Sequence, residues 1–319
     1  MTKARDFLGP YRLTRLIRLG SSCQVWEAID DRDQKRYALK VLREDHRKNK
    51  TELAAMKHEF EVAQTLHHPR IIRVIEQRIE QGVPFIVLEL FSELNCKQAL
   101  RRGPEALAYL MQRIIDQAGE GVSYMHSKGW IHRDLKPDNF LVSREGDVKL
   151  IDFSIAIKKR GGLGKLFQKT NVQGTRSYMS PEQIRGQSVD ERSDCYSFGC
   201  VLFELLAGRP PFTGDSPNDL LNKHLTAPIP SPITFSDNVS QEFADLVRQM
   251  LAKNPDHRPQ TIWDFLKRFR ATKLWRRPPR LPDANVFDDM PSVRNIMANL
   301  GGTDGNPGNN AGTGGGGKG

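Results

Sequence analysis

His132–Asn139 reads HRDLKPDN, which brings Asp134, Lys136 and Asn139 close together in the chain; eighteen residues past Asp134 a second acid, Asp152, follows the apolar VKLI stretch Val148–Ile151. Carboxylate and amide oxygens are hard donors of the kind Mg2+ takes alongside phosphate oxygens and water. Two acids and an amide brought together can hold Mg2+ against a polyphosphate while one carboxylate positions a hydroxyl for attack. A lone Asp-x-x-x-x-Asn or Ala-Leu-Lys would carry little weight, because solvated acids and lysines are common. The weight lies in their joint occurrence.

These residues need elements to position them, and the chain changes character along its length. The first 90 residues are strand-rich: extended stretches near Tyr11–Ile17 and Gln24–Ile29 precede YALKVL (Tyr37–Leu42), where alternation puts Ala38, Lys40 and Leu42 on one face. Lys50–Leu66 has helical spacing, with Met56, Phe60, Ala63 and Leu66 recurring every three or four residues, and Pro69 stops it. Val83–Phe91 reads as a buried strand. Beyond it, Pro104 marks a helix start for Leu107, Leu110, Met111, Ile114, Ile115 and Ala118. Cys195–Gly208 is apolar nearly all round, as a buried helix is, and Gly208 with Pro210 and Pro211 ends it. Further helices are expected at Leu220–His224, Gln241–Ala252 and Trp263–Phe269.

With HRDLKPDN and IDFS, the stretches GTRSYMSPEQ (Gly174–Gln183) and RSDCYSFGCVLFELLAGRPPF (Arg192–Phe212) make the chain resemble the protein kinase superfamily, most of all the eukaryotic-type serine/threonine kinases of bacteria. The resemblance spans roughly residues 10–270. It implies an α+β, two-lobed protein kinase fold: a small β-rich N-lobe with one main helix (about 10–90) and a larger α-helical C-lobe (about 91–270). A basic, then mixed, extension (271–300) and a Gly-rich tail (301–319) would follow.

The resemblance also implies roles. Asp134 would accept or orient the hydroxyl proton, Lys136 would neutralise the γ-phosphate, and Asn139 and Asp152 would ligate Mg2+, with Mn2+ as a substitute. Thr175 would bond the catalytic loop and shape the hydroxyl pocket. Lys40 would contact the α- and β-phosphates of ATP, paired with Glu59, which stands nine residues before His68; Glu52 and Glu61 fit that spacing less well. Ile17, Val25 and Ala38 would cover the adenine from above and Leu141 from below, with Leu88 as gatekeeper and the backbone at Glu89 and Phe91 as hinge. Glu182 with Arg258, and Asp194, would support the fold. Two positions depart from the family pattern. Aligned on Val25, the glycine-rich loop offers Arg18, Gly20 and Cys23, so only the middle glycine remains, and Ser154 stands where the family has the glycine of DFG.

The chain holds 48 Lys+Arg against 38 Asp+Glu, a net charge of +10, which would ordinarily suggest nucleic acid or an acidic membrane surface as partner. The charge is concentrated, however. Phe153–Pro181 has six basic residues and no acid, and Asp264–Arg280 has seven and one, so the remainder of the chain is slightly acidic. The first stretch falls on the segment a kinase uses as its switch, where Thr170 is the candidate phosphosite and Arg133 its candidate receiver. The second reads either as a basic linker or as a dock for an acidic partner. No nucleic-acid-binding motif is present. No apolar run approaches the length of a membrane span, and four cysteines without CxxC or a zinc spacing fit a reducing, cytoplasmic compartment. The sequence therefore points to an ATP-dependent kinase acting on protein Ser/Thr hydroxyls, itself among them. A catalytically impaired pseudokinase scaffold is the competing class, favoured by the degenerate glycine loop, and a small-molecule kinase stands third.

Overall fold

A computed structural model of the chain describes residues 7–91, 93–159 and 173–280. Its first lobe is an antiparallel sheet of β1 (Phe7–Leu8), β2 (Tyr11–Leu19), β3 (Cys23–Asp30), β4 (Arg36–Leu42), β5 (Val74–Glu80) and β6 (Val83–Glu89), in the order β1-β2-β3-β4-β6-β5. Period-two alternation divides the side chains between two faces. Tyr11, Ala28, Leu39, Val41, Phe85 and Val87 form one buried cluster. On the opposite face Leu42 and Ile86 meet Met56 of α1 (Lys50–Ala63), whose start is capped by the Asn49 side chain accepting from the Thr51 N–H. β5 is an edge strand that the sequence reading did not anticipate; its Ile75 and Ile79 remain exposed.

The second lobe is helical. α2 (Cys96–Ala99) and α3 (Met111–Ser127) lead to short strands: β9 (Phe140–Val142) lies between β7 (Leu94–Asn95) and β10 (Val148–Leu150), and β8 (Trp130–Ile131) pairs with β11 (Ile157–Lys158). There follow α4 (Pro181–Ile184), α5 (Glu191–Ala207), α6 (Pro217–Thr226), α7 (Gln241–Met250) and α8 (Ile262–Arg270). α5 is buried along almost its whole length and is the axis around which the lobe packs. It opens at Asp190, which caps the Arg192 N–H, and closes at Gly208 in the left-handed region (φ 72°). Its start lies four residues before the apolar run marked in the sequence.

Pro104 does not begin a long helix. It opens a 3-10 turn, Pro104–Leu107, and α3 starts at Met111. A 3-10 turn also brings i and i+3 together, so the three-residue step from Leu107 to Leu110 could not separate the two.

The basic stretch after α8 is fastened to the C-lobe. The Trp275 indole N–H donates to the Ala108 carbonyl, the Ser240 N–H donates to the Leu274 carbonyl, and Asn238 exchanges bonds with the backbone of Arg276 and Arg277. Lys267 pairs with Asp264, and Arg270 pairs with Asp116 and Glu120. The extension beyond Arg280, the Gly-rich tail, and Thr170 with Arg160, Lys165 and Lys169 lie outside the described residues.

Candidate active site

The loop His132–Asn139 is fixed from below by α5. Asp194, fully buried, accepts the backbone N–H groups of His132 (2.8 Å) and Arg133 (2.9 Å), and the His126 imidazole lies 2.8 Å away. Burial works to raise the Asp194 carboxyl, but His126 and His132 reverse this and hold it below the usual carboxylate range. With its Nδ1 the His132 ring accepts the Asp134 N–H (3.3 Å), which leaves Nε2 to donate to the Ile151 carbonyl (3.3 Å) and ties this loop to the strand end carrying Asp152. Arg133 has left-handed backbone (φ 70°), and its carbonyl accepts from Gln183 Nε2 at 2.9 Å. Gly174 (φ 118°) passes so close that a Cβ there would stand 3.0 Å from the same carbonyl. The bond from Gln183 has no counterpart in the sequence reading.

Asp134 is aimed by its neighbours. Oδ1 accepts the Thr175 N–H at 2.7 Å and Oδ2 accepts Lys136 Nζ at 2.6 Å, while Lys136 also reaches Thr175 Oγ1 at 2.9 Å. Asn139, 1% exposed, gives its side-chain N–H to the Asp134 carbonyl at 2.8 Å, which leaves its amide oxygen as the acceptor. The Ile151 N–H donates to the Asn139 carbonyl, setting Asn139 beside the backbone that leads into Asp152.

Across the cleft, Lys40 Nζ lies 2.6 Å from Glu59 Oε2 and 3.8 Å from Asp152 Oδ1. Burial pulls the Lys40 ammonium down, yet Asp152 and then Glu59 outweigh it, and its pKa stands above the ordinary lysine value. For Asp152 burial acts upward, while Lys40 first and then the Ser154 hydroxyl carry the carboxyl well below its usual range. Ser154 Oγ donates to Asp152 Oδ1 at 2.7 Å, and Asp152 itself has φ 67°. The departure at Ser154 thus adds a hydrogen bond to the acid it follows.

Val25 is the register partner of Lys40, and Ala38 of Leu88, so all four share the sheet face that looks toward the C-lobe. Ile17 sits at an irregularity in β2, and Leu141 on β9 and Phe91 pack against the C-lobe core. The Glu89 carboxylate is engaged by the Arg73 N–H and Lys149 Nζ, both at 2.7 Å, and its own N–H donates to the Arg73 carbonyl. At Gly20 the N–H donates to the Cys23 carbonyl (2.8 Å) and closes a tight turn over the cleft. Deeper in the C-lobe, Arg258 makes a two-pronged pair with Glu182 (2.7 and 3.0 Å) with its guanidinium wholly buried.

The fold and the site together define a two-lobed phosphotransferase-type cleft with a cation above and a carboxylate–amide set below. The protein kinase domain model matches residues 11–268, and the chain belongs to the protein kinase family. It is 37% identical over 290 residues to the serine/threonine-protein kinase PknB of Mycolicibacterium smegmatis, which covers 89% of this chain and 45% of that protein. It is 37% identical over 267 residues to PknB of Mycobacterium tuberculosis (82% and 42%) and 35% identical over 266 residues to a probable serine/threonine-protein kinase of Streptomyces coelicolor (82% and 39%). The chain therefore spans less than half the length of these curated relatives. No helix among the described residues is long and apolar enough to cross a membrane.

Proposed function

We propose that this chain transfers the γ-phosphoryl group of ATP to Ser and Thr hydroxyls of proteins, its own activation segment among them. The observation that carries this is the fixing of Asp134 by Thr175 and Lys136, opposite a Lys40–Asp152 pair whose charges persist at neutral pH. Asn139 and Asp152 suit Mg2+, which binds through one or two protein oxygens together with phosphate oxygens and water; Mn2+ takes the same donor types. When bound, the metal would neutralise charge on the phosphates.

Asp134 accepts the hydroxyl proton as the substrate oxygen bonds to the γ-phosphorus and the bond from that phosphorus to the β-phosphate's bridging oxygen breaks. Lys136 stands beside both Asp134 and Thr175, where its ammonium offsets charge on the moving phosphoryl group. Lys40, fixed by Glu59, orients the α- and β-phosphates; Ile17, Val25, Ala38 and Leu141 enclose the base, with the backbone near Glu89 and Phe91 as its polar edge. Four free cysteines favour a cytoplasmic setting. The basic segment 264–280 suits an acidic docking partner.

Labelled phosphate from ATP should enter the chain or a generic basic protein only with a divalent metal present. No incorporation, with no nucleotide binding, would overturn this reading. Nucleotide binding without transfer would replace it with the scaffold.

A further inference from the structure

Arg18 occupies the first position of the degenerate glycine loop, and the structure gives its side chain a place. β2 and β3 lose register between Leu16 and Arg18: Leu16 pairs with Trp26, but Arg18 pairs with Val25, so two steps on β2 match one on β3. Such an irregularity re-aims the side chains that follow it. Without it Arg18 would pair with Gln24 and face away from the cleft; with it, Arg18, Val25 and Lys40 form one cross-strand row on the same sheet face. Lys40 is one strand beyond Val25, and both cations reach down to the C-lobe. Lys40 Nζ comes within 3.8 Å of Asp152, and Arg18 Nη2 comes within 3.8 Å of Asp138, the residue before Asn139. Two roof cations thus each stand 3.8 Å from a carboxylate of the C-lobe.

The two pairs are held differently. Lys40 is also clamped by Glu59 and mostly buried, whereas the Arg18 and Asp138 side chains are 41% and 32% exposed. A solvent-exposed pair at this separation is weakly held and can exchange its partner. A guanidinium at the cleft edge, with a planar fork matched to phosphate oxygens, has an obvious competitor for Asp138 in a polyphosphate. A glycine at this position would bring the backbone close to the nucleotide; here a side chain reaches it instead.

We infer that Arg18 is a nucleotide-binding residue whose guanidinium rests on Asp138 and transfers to the phosphate oxygens of a nucleoside di- or triphosphate. The inference rests on the nucleotide role proposed for the cleft. Asp138 is then a competitor for Arg18, and the two residues have opposite effects on affinity. A static clasp between the lobes would give them the same effect.

Titration of the full chain with Mg–ADP and with adenosine, across wild type, Arg18→Ala, Arg18→Lys and Asp138→Asn, tests this. Arg18→Ala should weaken ADP about tenfold and leave adenosine within about twofold, as expected for loss of a charge-assisted contact to phosphate. Arg18→Lys should lose less, and Asp138→Asn should bind ADP about twofold to fivefold tighter than wild type. ADP affinity unchanged in Arg18→Ala, equal losses for ADP and adenosine, or a loss in Asp138→Asn matching that in Arg18→Ala would each overturn the inference. A wild-type chain that binds neither ligand would overturn the nucleotide role itself.

Discussion

On the floor of the cleft, Asp194 takes two backbone N–H groups and an imidazole, His132 links the loop His132–Asn139 to the Asp152 segment, and Gln183 holds the Arg133 carbonyl. On the roof, the turn at Gly20–Cys23 is closed by the Gly20 N–H and steadied by Arg43, which donates its N–H to the Ser22 carbonyl and its guanidinium to the Gly20 carbonyl. Exposed or half-buried side chains surround it. In the proposed reaction the floor places the groups that would meet the reacting atoms, where small displacements are costly. In the same reading the roof would have only to grip a ligand that arrives and leaves. The departures at Arg18 and Cys23 fall on the roof, and the one beside the floor, Ser154, adds a bond to Asp152.

The sharpest way to break this contrast is to remove a support of the floor. Arg258→Ala leaves the Glu182 carboxylate buried without its guanidinium, and urea unfolding should show a loss of about 3–5 kcal/mol. A loss under 1 kcal/mol would mean that the floor is no more tightly determined than the roof. A slightly smaller effect comes from pH. His224, under Tyr196, is held down to about 4 by burial first and the Lys253 ammonium second, so the folded chain keeps it neutral. The unfolded chain protonates it below about pH 6.5. This contribution to stability is therefore complete above pH 6.5 and declines as pH falls toward 4, by about 3 kcal/mol in all. Thermal melts of His224→Gln should show a flatter decline over that interval than wild type.

The smallest effect belongs to the roof. A Cβ on Gly20 would meet the Cys23 carbonyl at 3.0 Å, so Gly20→Ala must shift the turn by a few tenths of an ångström. Its KM for ATP should rise about threefold while the unfolding midpoint stays within the usual range for surface changes, about 0.5 kcal/mol. A stability loss comparable to that of Arg258→Ala would erase the distinction.

Much of the floor was legible because it is written in residue types at fixed spacing: Asp134, Lys136, Asn139 and Asp152 are charged or amide groups whose separation along the chain survives folding. The resemblance to the kinase family favoured Glu59 over Glu52 and Glu61 through its spacing to His68, and the structure turns Glu61 outward to Lys57. What was hidden depends on backbone conformation. The Ser154–Asp152 bond goes with the left-handed turn at Asp152, and Arg18 faces the cleft only because β2 slips register beside Ile17. The strand β5 was missed because it lacks the apolar-in, polar-out alternation of a half-wet strand: Ile75 and Ile79 are exposed while Glu76, Gln77 and Arg78 are half-buried. The 3-10 turn at Pro104 was misread because its spacing imitates that of a helix.

The most direct test of the account separates grip from chemistry in one variant. Asp134→Asn should bind Mg–ATP within about twofold of wild type while its rate of phosphate incorporation falls by roughly 10²–10⁴, the range for loss of a positioned general base. Transfer at near wild-type rate by Asp134→Asn, or loss of nucleotide binding along with transfer, would contradict it.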